Sequence, residues 1–180
     1  ELEAAELAGL LLANDGAGPV MEDGKTLFHG DHRNLAPAGT SITDASLSAA
    51  RLALRTQRGI DGITPVNIIP RFLVVGPLME TEAERYLAQL QPARTSDVNP
   101  FASKLELIVE GRITDFSWYV LGTPSATPAL EYAYLNDRGP AVDTMEGWTR
   151  LGVEVRITHD FGAGAVDWRP AYRNPGAVPA

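Results

Sequence analysis

Phe72-Leu73-Val74-Val75 is a continuous apolar run of strand length, and Pro65 and Pro77 bound the segment that contains it. A run without alternating polar residues is typical of a strand that is buried on both faces. We therefore predict a strand at this position with apolar neighbours on each side.

Helical periodicity occurs on both sides of this strand. The predicted helices cover residues 1–13, 43–58 and 81–91. Asn14-Asp15-Gly16 ends the first helix and Gly59 ends the second. Ser41 and Thr43-Asp44 offer N-terminal caps for the second helix. The spacing of Thr81 and Glu84 predicts a capping box in the third helix, which Gln91-Pro92 ends.

Beyond Pro100 the hydrophobic period changes from about 3.6 to 2, which is typical of strands. The predicted strands cover residues 105–109, 116–121, 130–135 and 153–160. In the last of these, Val153, Val155 and Ile157 alternate with polar residues, which predicts one buried and one wet face. Residues 162–165, Gly-Ala-Gly-Ala, are interpreted as a bulge or twist. Helices followed by strands, without βαβ alternation, favour an α+β fold with an antiparallel sheet.

Composition excludes several functional classes. The 180 residues contain no cysteine, which excludes disulfides, thiolate catalysis and cysteine-ligated metal clusters. The net charge of -8 argues against sequence-independent nucleic-acid binding, and the longest apolar run, Leu10 to Ala13, is too short to cross a membrane. Because Glu1 opens inside a helical pattern without an initiator Met, we expect a processed or truncated product.

His29-Gly30-Asp31-His32 is the densest polar cluster, and it lies in a stretch without periodicity, residues 17–39. Imidazole and carboxylate groups at this spacing could ligate zinc or iron, so a metal-dependent hydrolase using His29, Asp31 and His32, with His159 as a further ligand, is the alternative function. The simpler interpretation is a loop whose polar side chains bond its own backbone. For His159, packing at a strand end is the simpler interpretation.

Arg51, Arg55 and Arg58 share one predicted helix face, and arginine supplies 13 of the 15 basic residues. Because its planar guanidinium suits protein interfaces, we expect these three residues to make subunit contacts. Four aromatic residues could line a small-molecule site, although core packing explains them equally well: Trp118, Tyr119, Tyr132 and Tyr134. No nucleophile elbow or phosphate loop is present, so we expect neither catalytic residues nor a cofactor.

Four stretches in a fixed order carry a resemblance to a known family. They are residues 23–36 around His29-Gly30-Asp31-His32, residues 47–62, residues 70–77 and residues 160–176. Together with Trp118-Tyr119 they resemble the major capsid proteins of tailed phages, specifically the major head subunits of Mu-like prophages.

The resemblance implies the Hong Kong 97-type capsid fold, in which an axial A-domain is inserted into a peripheral P-domain with a long spine helix. This chain would hold the A-domain and part of the P-domain, with a mixed or antiparallel sheet flanked by helices. Residues 1–16 would be the end of the spine helix, residues 17–145 the A-domain with its preceding loop, and residues 146–180 the P-domain strand and its return. Relatives carry an N-terminal arm, an extended E-loop and the first part of the spine helix before the position that matches Glu1.

The function implied is that of a virion structural protein with no catalytic residues. Copies would form pentamers and hexamers that tile an icosahedral shell, enclosing DNA without binding it specifically and making no membrane contact. A scaffold or head-maturation protease would be a further partner. The protein would reside in the virion, and in the host bacterial cytoplasm during assembly.

Overall fold

The computed structural model describes residues 1–88, 104–135, 139–146 and 151–178, and helices and strands share this part of the chain. The helices are α1 (Leu2–Leu12), α2 (Asp44–Arg55) and α3 (Glu80–Leu87). The strands are β1 (Pro70–Val75), β2 (Glu106–Val109), β3 (Trp118–Gly122), β4 (Leu130–Tyr134), β5 (Ala141–Glu146), β6 (Val153–Thr158), β7 (Phe161–Ala165) and β8 (Ala171–Asn174). The predicted α+β class is confirmed.

Helices α1 and α2 follow the sequence prediction closely. Helix α1 ends before Asn14 and Asp15, whose positive φ angles of 51° and 55° turn the chain out of the helix. Helix α2 begins with a capping box in which the Thr43 hydroxyl accepts from the Ser46 amide at 3.1 Å. The Ser46 hydroxyl accepts from the Thr43 amide at 2.9 Å, so both amides are satisfied.

Two predicted helix boundaries are wrong. Helix α2 ends at Arg55 rather than Arg58, because the Thr56 hydroxyl donates to the Leu52 carbonyl at 2.8 Å and the chain leaves the helix there. Helix α3 starts one residue before Thr81, which is therefore inside the helix and does not cap it. A 3₁₀ turn with proline at its first position, Pro77–Met79, leads into α3 instead. The predicted end at Gln91-Pro92 lies outside the described residues.

None of the helices within the described ranges has the length and apolar character that crossing a bilayer would require.

Strand β1 lies inside a four-stranded sheet of order β2-β1-β3-β8. It pairs antiparallel with β3 but parallel with β2, and α3 lies between β1 and β2 in the chain. The purely antiparallel sheet favoured by the order of elements is therefore wrong at this edge, whereas the mixed sheet flanked by helices that the resemblance allows is confirmed. Parallel neighbours require a crossover connection, and α3 lies on the one that joins these strands.

Side chains on the two faces of the sheet belong to two separate apolar clusters. Leu73 and Val75 point into one cluster with residues of α2 and α3, including Leu47 and Ala83. Val74 points into the other, which contains Leu11 of α1 and two loop residues, Leu27 and Phe28. The prediction that this strand is buried on both faces is confirmed, since Leu73, Val74 and Val75 are all buried.

Four further strands form two antiparallel pairs. β4 pairs with β7, and both contact α1. β5 pairs with β6; β5 follows β4 in the chain and β6 precedes β7. The Leu135 amide, just after β4, donates to the Asp160 carbonyl, just before β7, at 2.9 Å. Residues 162–165, interpreted from the sequence as a bulge or twist, instead belong to strand β7, so that interpretation is wrong.

Strand β6 begins at the predicted residue, Val153, but ends at Thr158, before the predicted end at Asp160, and it lacks the predicted burial. All six of its residues are exposed, including the apolar set Val153, Val155 and Ile157. The prediction that one face of β6 is buried is therefore wrong for the described part of this chain, because the described neighbours of β6 do not cover that face.

A substitution at Gly176 tests the packing at the end of β8. Its φ is +74°, and a Cβ there would lie 1.7 Å from the Phe116 carbonyl oxygen, so both backbone conformation and space require glycine. We expect Gly176→Ala to lower the free energy of unfolding by about 2 kcal/mol or more, measured by urea denaturation.

The matched control is Gly111→Ala, because a Cβ at Gly111 meets no atom within 4 Å. That variant should stay within about 0.5 kcal/mol of the parent protein. Equal effects at the two positions would contradict the packing described here.

Candidate functional site

The loop over residues 17–39 is built into the core. Leu27 and Phe28 are buried against α1 and the sheet, and the Phe28 ring lies 5.3 Å from the ring of Tyr119. The loop also extends the sheet, because Leu35 forms a parallel bridge with Arg173 of β8. A loop so long and so buried must satisfy its own polar groups, and its side chains do this.

His32 is one of the buried polar residues of this loop. Its ring stacks on the indole of Trp168 with centroids 4.4 Å apart and planes 5° apart. Nδ1 lies 3.2 Å from the Leu27 carbonyl oxygen, and Nε2 lies 2.8 Å from Asp23 Oδ2. The hydrogen bond to His32 lowers the pKa of the Asp23 carboxyl. Both ring nitrogens therefore have partners within the loop.

His29 and Asp31 are partly exposed and make similarly local bonds. His29 Nδ1 accepts from the Asp31 amide at 3.2 Å and caps a short 3₁₀ helix, Gly30–His32. Asp31 Oδ2 accepts from Lys25 Nζ at 2.6 Å, and this bond lowers the pKa of the Asp31 carboxyl and raises that of Lys25.

These contacts do not support the metal-site alternative. The part of the chain that the structure describes holds no group of three or more ligand-type residues able to hold a metal ion. His29 and His32 instead bond the backbone of their own loop, as the simpler interpretation predicted. His159 packs elsewhere, stacked on Phe161 with ring centroids 4.7 Å apart.

Asn34 is the most connected side chain of the loop, and sequence analysis did not select it. Its Oδ1 accepts from the His29 amide at 3.0 Å, and its Nδ2 donates to the carbonyls of Leu27 at 2.8 Å and Trp168 at 3.1 Å. It is fully buried. In the sequence Asn34 follows His32-Arg33 at the end of a polar stretch, and this local context does not reveal partners far away in the chain.

Asn174 makes a second set of bonds between the end of the loop and β8. Its Oδ1 accepts from the Thr40 amide, and its Nδ2 donates to the Thr40 hydroxyl, both at 2.9 Å. The Trp118 indole donates to the Thr40 carbonyl at 2.9 Å. The backbone is close here as well, since a Cβ on Gly39 would lie 2.0 Å from the Gly176 carbonyl oxygen.

A polar contact fixes α1 to the β4–β7 pair. Tyr134 donates its hydroxyl to Glu3 Oε1 at 3.0 Å, and His159 Nε2 lies 3.3 Å from the same oxygen. A bond from the backbone amide of Glu3, followed by the Tyr134 hydroxyl, lowers the pKa of Glu3 to about 2. The bond to Glu3 raises the pKa of Tyr134 to about 12. The carboxylate form of Glu3 is thus the form that holds this junction together.

The three candidate subunit-contact arginines do not share one helix face. Arg51 and Arg55 lie on α2, whereas Arg58 lies in the turn that follows it. Arg55 donates to Asn67 Oδ1 at 2.8 Å, and Arg58 donates to the Gly62 carbonyl at 2.9 Å. Their predicted role in subunit contacts stays a prediction.

A polar cleft of about 450 Å³ opens between the end of α2 and Trp168. Arg169 crosses it, donating to the Arg58 carbonyl at 2.8 Å with its guanidinium carbon 4.6 Å from the Trp168 ring centre. The lining residues His32 and Gln57 are bonded within the protein, Gln57 donating to the His32 carbonyl at 2.9 Å. The cleft therefore presents a bonded polar wall rather than a nucleophile next to a base.

The family model for phage capsid proteins matches residues 1–174. The chain belongs to the phage capsid protein family. A crystal structure of a phage-related protein from Bordetella bronchiseptica RB50 matches this capsid-family chain with a TM-score of 0.50 at 10% identity, over 78% of this chain and 53% of that one. A structure from Mycobacterium phage Che8 matches with a TM-score of 0.44 at 14% identity. The match covers 81% of this chain and 57% of the Che8 chain.

At these identities the Bordetella likeness concerns the fold alone, and the capsid-family chain spans little more than half the length of either matched structure. No match was found among curated proteins.

Replacing Asn34 tests the role of the loop in this capsid-family chain. Asn34→Ala leaves the His29 amide and the Leu27 and Trp168 carbonyls without their side-chain partner, so we expect a loss of about 2–3 kcal/mol in the free energy of unfolding. Lys25→Ala, which removes only an exposed ion pair, should cost about 0.5 kcal/mol or less. Chemical denaturation of both variants measures the difference, and similar losses would contradict the account.

Acid should weaken the contact between α1 and the β4–β7 pair. The pKa of Glu3 is about 2 in the folded chain and 4.5 without these contacts, so its contribution is complete above pH 4.5 and is lost as pH falls towards 2. Thermal unfolding of the parent protein and of Glu3→Gln should show a stability difference above pH 4.5 that disappears near pH 2. A difference independent of pH over this interval would contradict the assignment.

Proposed function

We propose that this chain is part of a major capsid subunit, the major head protein of a Mu-like phage or prophage with a Hong Kong 97-type fold, whose copies form an icosahedral shell around DNA. The observation that carries the proposal is the match to the phage capsid family over residues 1–174. The family match favours a structural role in the virion over catalysis.

Two features of the described residues support a role in packing copies together. The loop over residues 17–39 is bonded to β8 through its backbone, because the Arg173 amide donates to the Asn34 carbonyl at 2.8 Å and the Ala36 amide donates to the Arg173 carbonyl at 2.9 Å. It is therefore suited to bear a contact without deforming. The second feature is a turn after α2, over residues 58–65, that carries exposed aliphatic side chains.

Asp61 holds this turn by accepting from the amides of Ile63 and Thr64, both at 2.9 Å. Ile60 and Ile63 nevertheless remain 97% and 77% exposed. Exposed aliphatic side chains on a rigid turn, beside Arg58, are the kind of surface that a second protein covers. The three arginines Arg51, Arg55 and Arg58 are our candidates for contacts between neighbouring subunits.

In this proposal residues 1–16 are the end of the spine helix, residues 17–145 form the A-domain with its preceding loop, and residues 146–180 supply the P-domain strand and its return. Pentamers and hexamers of the subunit build the shell. With a net charge of -8 the subunit offers few cations for phosphate contacts, so it encloses DNA without specific binding. A scaffold or head-maturation protease acts during assembly in the host bacterial cytoplasm.

Electron microscopy of the complete gene product, expressed with its neighbouring genes, tests the proposal. We expect closed shells of uniform diameter that contain this chain. Arg55→Glu, in the proposed contact set, should reduce shell yield more than Arg71→Glu, which changes an exposed β1 arginine paired with Glu106. Failure of the wild-type product to form any particle with all neighbours present would contradict the proposed function.

A further inference from the structure

Three arginines line the polar cleft between the end of α2 and Trp168, whose volume is about 450 Å³. They come from the loop over residues 17–39, the turn after α2 and the stretch between β7 and β8: Arg33, Arg58 and Arg169. Among the described lining residues the one carboxylate is Asp31. The lining therefore carries more positive than negative charge, although the whole chain has a net charge of -8.

The guanidinium of Arg169 is held in one position. Its Nε donates to the Arg58 carbonyl at 2.8 Å, and its Nη1 donates to the two carboxylate oxygens of Asp167 at 3.1 and 3.2 Å. Its carbon lies 4.6 Å from the ring centre of Trp168. Within the described part of the chain Nη2 has no acceptor. A guanidinium fixed in this way loses little rotamer freedom when its remaining N–H groups bind a ligand.

Arg33 and Arg58 offer further unused donors. Arg58 Nη1 donates to the Gly62 carbonyl at 2.9 Å, and its Nε and Nη2 bond none of the described residues. The Arg33 side chain forms neither a hydrogen bond nor an ion pair with any residue that the structure describes. Since each guanidinium carries five N–H donors, the cleft has more donors than the described protein groups use.

Four carboxylates near the cleft have partners of their own within the protein: Asp23, Asp31, Asp61 and Asp167. These partners are a histidine ring, a lysine, two backbone amides and Arg169, respectively. The four carboxylates lower the net charge around the cleft, but none of them bonds Arg33 or Arg58. The donors of those two arginines are therefore available to an acceptor from another molecule.

The ligand chemistry that matches these donors is that of an oxyanion. The planar fork of arginine binds a carboxylate or a phosphate through two parallel N–H···O bonds. The rim distinguishes the two, because Ile60 also lines the cleft and is 97% exposed. A phosphate leaves this aliphatic side chain in water, whereas an acidic side chain arrives on a protein segment that covers it. The cleft therefore favours a carboxylate carried by a protein.

Charge favours a second copy of this chain as that protein. The chain has 23 acidic and 15 basic residues, so carboxylates predominate on every copy. Two copies with a net charge of -8 repel each other at long range. A carboxylate of one copy, placed among the free donors of Arg33 and Arg58 of the other, offsets this repulsion with a charge-assisted contact. Arg58 already belongs to the proposed subunit contacts, so the inference rests on the proposed function and names the group that is bound there.

We propose that the cleft lined by Arg33, Arg58 and Arg169 binds a carboxylate side chain of a second copy of this chain, and that Ile60 packs on the segment that carries it. The cleft and the acidic side chain are different patches of the surface. The contact is therefore heterologous, and heterologous contacts close rings such as the proposed pentamers and hexamers.

Succinate tests the chemistry of the cleft in the unassembled protein. We expect sodium succinate, titrated at constant ionic strength, to shift the NMR resonance of the Arg169 Nε–H group saturably. Arg33→Gln removes donors that make no bond within the described residues, so the protein should stay folded while its succinate affinity falls about tenfold. The matched control is Arg71→Gln, which removes an exposed arginine paired with Glu106 outside the cleft and should leave the affinity unchanged.

A carbodiimide tests the second copy, because this reagent joins an amine directly to a carboxylate in contact with it. The chain has only two lysines, Lys25 and Lys104, so background coupling is low. Arg33→Lys keeps the charge and places an amine in the cleft, whereas Arg71→Lys places one beside Glu106 of the same chain. In particles of the complete gene product we expect covalent dimers from Arg33→Lys, and from Arg71→Lys no more than from the parent protein.

The outcomes separate this inference from the proposed function. No saturable succinate shift, or equal weakening by Arg33→Gln and Arg71→Gln, would overturn the carboxylate site and leave the capsid role standing. Equal dimer yields from the two lysine variants in particles would overturn the second copy as its source. Dimers that form in empty particles but not in DNA-filled ones would assign the cleft to nucleic-acid phosphates, which would also overturn the inference.

If the wild type forms no particles with all its neighbouring gene products present, the capsid role fails. The same carbodiimide reaction on the concentrated soluble protein then decides the inference by itself. Dimers specific to Arg33→Lys in that protein would support a carboxylate from a second copy, and their absence would overturn it.

Discussion

Burial of β1 on both faces is the constraint on which the rest of the structure depends. Leu73 and Val75 require an apolar layer on one side, which α2 and α3 supply, and Val74 requires a layer on the other. The second layer combines α1 with Leu27 and Phe28, and these two residues come from a loop rather than from a regular element. Since a buried loop must satisfy its backbone polar groups internally, the polar residues around it have structural roles.

This requirement explains why the cluster His29-Gly30-Asp31-His32, the candidate metal site of the sequence, makes structural contacts instead. His32 bonds Leu27 and Asp23 and stacks on Trp168, while Asn34 connects Leu27, His29 and Trp168. Removing one partner from such a buried network leaves the other groups unsatisfied. The loop therefore behaves as part of the core, and the surfaces left for function are the ones that point outward. Within the described residues these include the turn with Ile60 and Ile63 and the exposed aliphatic side chains of β6.

The sequence predicted those features that depend on local patterns. The apolar run in β1, the caps of α2 and the alternation in β6 each leave a periodic signal, and their elements were placed close to the observed bounds. Features that depend on distant partners were missed. The parallel pairing of β1 with β2 and the role of Asn34 need residues far apart in the sequence, and β7 is a glycine-alanine strand without an apolar period.

The apolar side of β6 shows a different limit. Alternation correctly indicated two unlike faces, but whether the apolar face is covered depends on contacts with distant groups, which a local pattern does not encode. The candidate site follows the same rule. The backbone bonds of His29 and His32 agree with the simpler interpretation, whereas the Asp31 side chain pairs with Lys25. The assignment of Arg51, Arg55 and Arg58 to one helix face failed because α2 ends earlier than its pattern indicated.

Hydrogen–deuterium exchange of individual backbone amides tests most directly whether the loop belongs to the core. The amides of Phe28 and Ala36, which donate to Ala17 and Arg173, should exchange about as slowly as those in β1. Exchange of these loop amides at the rate of an ordinary surface loop, with β1 still protected, would contradict the account.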